Sequence, residues 1–198
     1  EPGVLTHVSD MDVNPWEINC LNGVVDLKSG EFRPHDKGRK PIHTKLVNAE
    51  YREEAECPLW LKCLDMWMGS NQNFIKYLQR MCGWMLTGTV LEQAFFVLYG
   101  PGENGKSTFV KILMNILGNY AQSADPSLVM STGDQKHTTP SSLAAVAKLR
   151  GARVVVCSET AQGQYLSEEQ VKRLSSEEDI SAKFMGKDFF DFSPTHKS

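Results

Sequence analysis

No stretch of this 198-residue chain holds the roughly 20 successive apolar residues that a membrane-spanning helix requires, and no signal peptide opens it. Strong charge of either sign is also missing. The formal net charge is −3, with acidic and basic residues spread evenly along the chain. Bulk charge therefore offers no sign of a nucleic-acid surface, and any such site must be local. Cysteine is sparse and unpatterned: Cys20, Cys57, Cys63, Cys82 and Cys157 form an odd, scattered set. Cys57 and Cys63 lack a second pair or a nearby histidine, which argues against zinc and for reduced, intracellular thiols. Internal repeats and low-complexity tracts are absent too. What remains is an ordinary globular composition, 41% hydrophobic and 23% charged, long enough for one large domain or two small ones.

The most informative stretch begins at residue 94. Ala94 to Tyr99 is a continuous apolar run, as expected for a strand buried on both faces. It leads into Gly100, Pro101, Gly102, Glu103, Asn104, Gly105, Lys106, Ser107 and Thr108, the spacing of a phosphate-binding loop. Glycines let backbone N–H groups turn inward around phosphate oxygens, where side chains would obstruct. Lys106 would place a compact positive charge on the β- and γ-phosphates, and the Ser107 hydroxyl would ligate Mg²⁺. Phe109, Ile112, Leu113, Ile116 and Leu117 then recur at helical spacing, with Gly118 as the stop. A helix N-terminus would thus face the anion. The reading is a nucleoside-triphosphate site for ATP with Mg²⁺.

Around this loop the chain divides. Residues 1–90 read as a mostly helical unit with a β-hairpin at Leu21–Arg33, whose tip is Lys28-Ser29-Gly30-Glu31. Pro58 suits the first turn of a helix bearing Trp60, Leu64 and Trp67. A second helix is expected to bury Phe74, Tyr77, Leu78 and Met81, with Gly83 and Gly88 bracketing its end; core packing is the simplest role for its aromatics. Residues 91–198 read as the nucleotide-binding core. Thr139-Pro140 opens a helix carrying Leu143, Val146 and Leu149, with Gly151 as its stop. His137, in the polar loop before it, reads as a solvated residue rather than a ligand. Val154–Cys157 is a second buried strand, and Ser167 with Gln170 forms a capping box ahead of Val171 and Leu174. The last segment alternates as a hairpin, with Ile180, Ala182 and Phe184 against Phe190 and Phe192 and residues 185–188 at its tip.

In a parallel α/β sheet, ligands gather at the carboxyl ends of the strands. Glu159, just past the second buried run, is therefore the best second catalytic residue, holding Mg²⁺ or orienting the attacking water. With these motifs in hand, residues 12–198 resemble the phage and plasmid primase–helicases, a branch of helicase superfamily 3 related to poxvirus-type replication helicases. The likeness is carried by Leu-Asn-Gly-Val-Val-Asp-Leu-Lys-Ser-Gly-Glu-Phe-Arg-Pro-His at 21–35 and Cys-Pro-Leu-Trp at 57–60. It continues through Met-Cys-Gly-Trp-Met-Leu-Thr-Gly at 81–88, the glycine-rich loop, and Gly-Ala-Arg-Val-Val-Val-Cys-Ser-Glu at 151–159. Leu-Ser-Ser-Glu-Glu-Asp-Ile-Ser-Ala-Lys at 174–183 resembles the family's DNA-hairpin motif. The resemblance implies an α/β AAA+-like P-loop core preceded by a small helical domain. It also implies a hexameric ring translocating along single-stranded DNA, in the cytoplasm of a bacterial or archaeal host or at a viral replication site.

The chain departs from that family at three places. Ser158 stands where many relatives carry a first acid, leaving Glu159 alone. Ser176-Glu177-Glu178-Asp179 adds negative charge near the expected DNA surface. The sensor asparagine and the ring's arginine are expected beyond Ser198, so the chain reads as a fragment. On the terminal hairpin, Lys187 at the tip and Lys183 on its arm are the candidate DNA contacts, offset by Asp188 and Asp191. Two other functions fit the loop: a small-molecule kinase, disfavoured because no arginine-rich lid follows, and a nucleotide-gated assembly module.

Overall fold

A computed structural model describes residues 10–36, 42–131, 140–157 and 165–197. The chain forms two compact units: residues 1–87 with 99–118, and residues 88–98 with 119–198. This grouping differs from a split at residue 90, because the glycine-rich loop and its helix belong with the first unit.

The first unit opens on an antiparallel meander of β1 (Glu17–Cys20), β2 (Gly23–Asp26) and β3 (Phe32–Pro34). The β2–β3 turn is local chemistry: Asp26 Oδ1 accepts from the backbone N–H groups of Lys28 (2.8 Å) and Ser29 (2.9 Å). Those donors hold the Asp26 carboxyl below its usual range. Glu17 is buried on β1, and the Arg33 guanidinium 2.7 Å away holds its carboxyl low as well.

Two helices follow. In α1 (Pro58–Trp67), proline occupies the first turn and Leu64 is the one fully buried side chain. In α2 (Gln72–Met85), the Asn71 side chain accepts from the Phe74 N–H at 3.1 Å. Its buried face is Ile75, Leu78, Met81 and Met85, so that two of the four expected residues, Leu78 and Met81, are buried. Phe74 and Tyr77 stand outside, their rings stacked with centroids 6.0 Å apart. Both stripes share Leu78 and Met81, so the wheel alone did not choose between Phe74 and Ile75; packing did. The helix ends at Met85, between Gly83 and Gly88, as expected.

The unit closes with α3 (Lys106–Leu117), whose buried residues are Phe109 and Leu117, while Ile116 is exposed. Gly118 ends it at φ +56°, where a Cβ would come within 2.5 Å of the Leu46 carbonyl oxygen. Asn48 covers two of the carbonyls left open at that end: its N–H donates to Ile116 O (2.8 Å) and its amide to Asn115 O (3.1 Å).

The second unit is built on a parallel pair, β4 (Ala121–Ala124) and β6 (Val154–Cys157), in register from Ala121–Val154 to Ala124–Cys157. Between them lie β5 (Met130–Ser131) and α4 (Pro140–Ala147). After β6 come β7 (Tyr165–Leu166), antiparallel to β5, and α5 (Glu168–Ser175). The Ser167 hydroxyl accepts from the Gln170 N–H at 3.4 Å, as the capping box predicts. The terminal hairpin is β8 (Ile180–Lys183) with β9 (Phe189–Phe192). One core joins these elements, with Leu128, Val146, Leu149, Val155, Leu174, Ile180 and Phe192 buried together.

The run Ala94–Tyr99 is not a strand, contrary to expectation. It joins no ladder among the described residues, and Val97, Leu98 and Tyr99 are exposed. A strand exists by pairing, and both edges of β6 are engaged elsewhere: β4 on one side, and on the other Lys197, whose carbonyl accepts from Val155 N–H at 2.8 Å. Phe95 of this run packs against the second unit's core. The parallel ladder among the described residues comprises two strands and the bridge at Lys197.

Candidate functional site

The loop between Gly100 and Thr108 closes on its own lysine. Lys106 Nζ donates to Asn104 Oδ1 (2.7 Å), Gly100 O (2.9 Å) and Pro101 O (3.0 Å). An ammonium has three protons and all three are used, so the cation sits within the loop rather than in open solvent. The backbone bends needed for this are unusual ones. Gly105 adopts φ +84°, and Glu103, which has a side chain, adopts φ +60°.

Lys106 is also the first residue of α3, whose N-cap residue, Gly105, provides no side-chain cap. No acidic residue lies in its first turn, which leaves the helix start favourable to an anion. Ser107 and Thr108 are exposed in the same turn, and Gly100 to Glu103 are exposed along the loop. A set of loop carbonyls holding an ammonium, beside such a helix start, can exchange those carbonyls for the oxygens of a polyphosphate.

Asn104 was not singled out from the sequence beyond its membership of the loop, yet it makes the shortest of the three lysine contacts. Its signal was a carboxamide two residues before the lysine. The other expected residues fall elsewhere. Glu159, with Ser158, lies outside the described residues, as does His137. Lys183 and Lys187 belong to the second unit and the loop to the first. Lys187 is exposed at the hairpin tip, where its N–H donates to Phe184 O (3.1 Å). Lys183 instead lays its ammonium over the Phe189 ring, 4.8 Å from the centroid. Met185 and Phe189 beside them are exposed as well, so the tip is as apolar as it is basic.

Comparison with known proteins sets this geometry in context. Residues 4–69 match a family described as D5 N terminal like. A protein of Acanthamoeba polyphaga mimivirus named "Putative helicase L207/L206" is 26% identical over 191 residues, covering 95% of this chain. The chain spans 19% of that relative's length. The first likeness is to a D5-type N-terminal region and the second to a helicase-named protein. Residues 98–198, from the glycine-rich loop through the terminal hairpin and half of the chain, match a further family, and the chain belongs to it: the family of unknown function DUF5906.

Proposed function

We propose that this chain carries the ATP-binding part of a DNA helicase motor related to replicative primase–helicases. The observation that carries the reading is the loop closed on Lys106 at the start of α3, in a chain similar to a helicase-named protein. Lys106 and the loop N–H groups bind the β- and γ-phosphates, Lys106 giving up its loop acceptors as phosphate oxygens arrive. Ser107, exposed one residue into the helix, suits a hydroxyl ligand for Mg²⁺, and Glu159 is the acid expected to complete the metal site or orient water. Bound Mg²⁺ would supply charge neutralisation between the β- and γ-phosphates. Lys187 and Lys183 are the proposed contacts to single-stranded DNA, and a hexameric ring the proposed assembly.

The test is thermal. A ligand at ~100 times its dissociation constant stabilises the folded state by about 2.7 kcal/mol, several degrees in melting temperature. Mg²⁺-ATP is expected to produce such a shift in the wild type and none in Lys106→Ala. An equal shift in both proteins would remove the loop from the nucleotide site. Stimulation of ATP hydrolysis by single-stranded DNA then separates a motor from a kinase or an assembly module.

A further inference from the structure

We propose that Trp67, the last residue of α1, is a positioning residue for the nucleotide loop: its indole fixes the backbone at Gly105 and so the place of Lys106. The inference rests on the nucleotide reading above and adds to it an element that the loop's spacing does not contain. Its basis is close contact. A Cβ built on Gly105 would lie 2.5 Å from Trp67 Cε2 and 2.7 Å from both Cδ2 and Nε1. The fused edge of the indole therefore rests directly on the glycine Cα. Gly102, in the same loop, has nothing within 4 Å of the equivalent point among the described residues. Gly105 is thus constrained twice, by its left-handed backbone at φ +84° and by the ring against it.

The contact continues into α3. Trp67 meets Trp60 edge to face at 6.1 Å, and Trp60 stacks on Phe109 at 5.6 Å. Phe109 is buried, and its N–H donates to Gly105 O at 2.8 Å, the first hydrogen bond of the helix. One aromatic brace from α1 therefore touches the loop–helix junction at two points a turn apart, and Lys106 lies between them. Trp60 and Trp67 are seven residues apart on one helix and so share a face. Aromatic pairs of this geometry are stiff, since two side-chain torsions place a large surface. A lysine that must reach phosphate oxygens gains from such a stop, because displacement by about 1 Å can cost up to about 100-fold where positioning matters.

The experiment measures Mg²⁺-ATP affinity by equilibrium dialysis on the chain and on Trp67→Ala and Trp67→Phe, with ligand-free melting curves beside it. Trp67→Ala is expected to stay folded but to weaken Mg²⁺-ATP binding about tenfold or more. Trp67→Phe, which keeps an aromatic stop, is expected to recover most of that loss; a purely structural role would instead move the melting temperature and leave affinity unchanged. Wild-type affinity in folded Trp67→Ala overturns the proposal. Absence of binding in the wild type overturns the nucleotide reading itself, and the two failures are thereby distinct. Should Trp67→Ala fail to fold, 5-fluorotryptophan in the otherwise unaltered chain decides: its Trp67 resonance, assigned by its disappearance in Trp67→Phe, is expected to shift on saturation with Mg²⁺-ATP. A resonance that stays fixed while ATP binds overturns the proposal.

Discussion

Val155 and Val97 are the same residue in two short apolar runs, and they fare differently. Val155, at the centre of β6, is 4% exposed; Val97, three residues before the glycine-rich loop, is 62% exposed. Val155 has a ladder on one side, with Gln122, and on the other donates its N–H to Lys197 O at 2.8 Å. Val97 lies in a segment without secondary structure. Composition does not separate the two runs. What separates them is whether chain distant in sequence arrives to pair, and for β6 that chain comes from residues 121–124 and from residue 197. Each run also leads toward a residue of the proposed chemistry, Val97 toward Lys106 and Val155 toward Glu159. β6 is anchored by the core, whereas the loop takes its support from α1.

The largest effect expected from this contrast is at the second edge of β6. His196 is 1% exposed there, and neither ring nitrogen has a hydrogen-bond partner among the described residues. Burial, and then the neighbouring Lys197 charge, push its pKa down from 6.5 to about 4. Because the folded value is the lower one, the unfolded chain takes up the proton more readily. The contribution is complete above about pH 6.5 and is lost as pH falls toward about 4, a change on the order of 3 kcal/mol. Urea denaturation of wild type and His196→Leu across that window should show the variant with the flatter profile. Parallel profiles would mean that the β6 edge is wet.

Next in size is Val155→Ala, expected to cost about 2 kcal/mol through lost burial and a residual cavity. Its counterpart closes the series: Val97→Ala should change stability by no more than about 0.5 kcal/mol, as an exposed truncation does. Equal losses at the two sites, measured by denaturant midpoints, would show that the 94–99 run is paired in solution. Between them falls Glu159→Gln, which keeps the size of the side chain and removes its charge. It should leave ATP binding near wild type and slow hydrolysis tenfold or more, roughly 1.4 kcal/mol of barrier. Undiminished turnover in a phosphate-release assay would move the catalytic acid elsewhere.

Much of the candidate site was legible before any geometry. The loop's glycines, its lysine and the helix that follows are neighbours in sequence, and their interactions span only a few residues. The first hairpin's turn, the Ser167 cap and the terminal hairpin are legible for the same reason. β4 was not anticipated, because Ala-Gln-Ser-Ala carries little strand signal and is held by β6, more than thirty residues away. The α2 face was misjudged because Phe74 and Tyr77 weighed heavily as hydrophobic residues, although the packed side of that helix has room for Ile75.

Short-range chemistry follows from residue order alone: where a turn must take a positive φ, which hydroxyl caps a helix, which lysine stands at a helix start. Such contacts close small rings of chain at little entropic cost and need no other part of the molecule. Tertiary structure decided everything that needed a partner from afar. Among the described residues it left the run at 94–99 outside any strand ladder, buried the run at 154–157, and turned two aromatics of α2 outward. It also set Trp67 against Gly105, across nearly forty residues of chain, so that a loop readable from its own spacing is held in shape by a helix that the spacing never mentions.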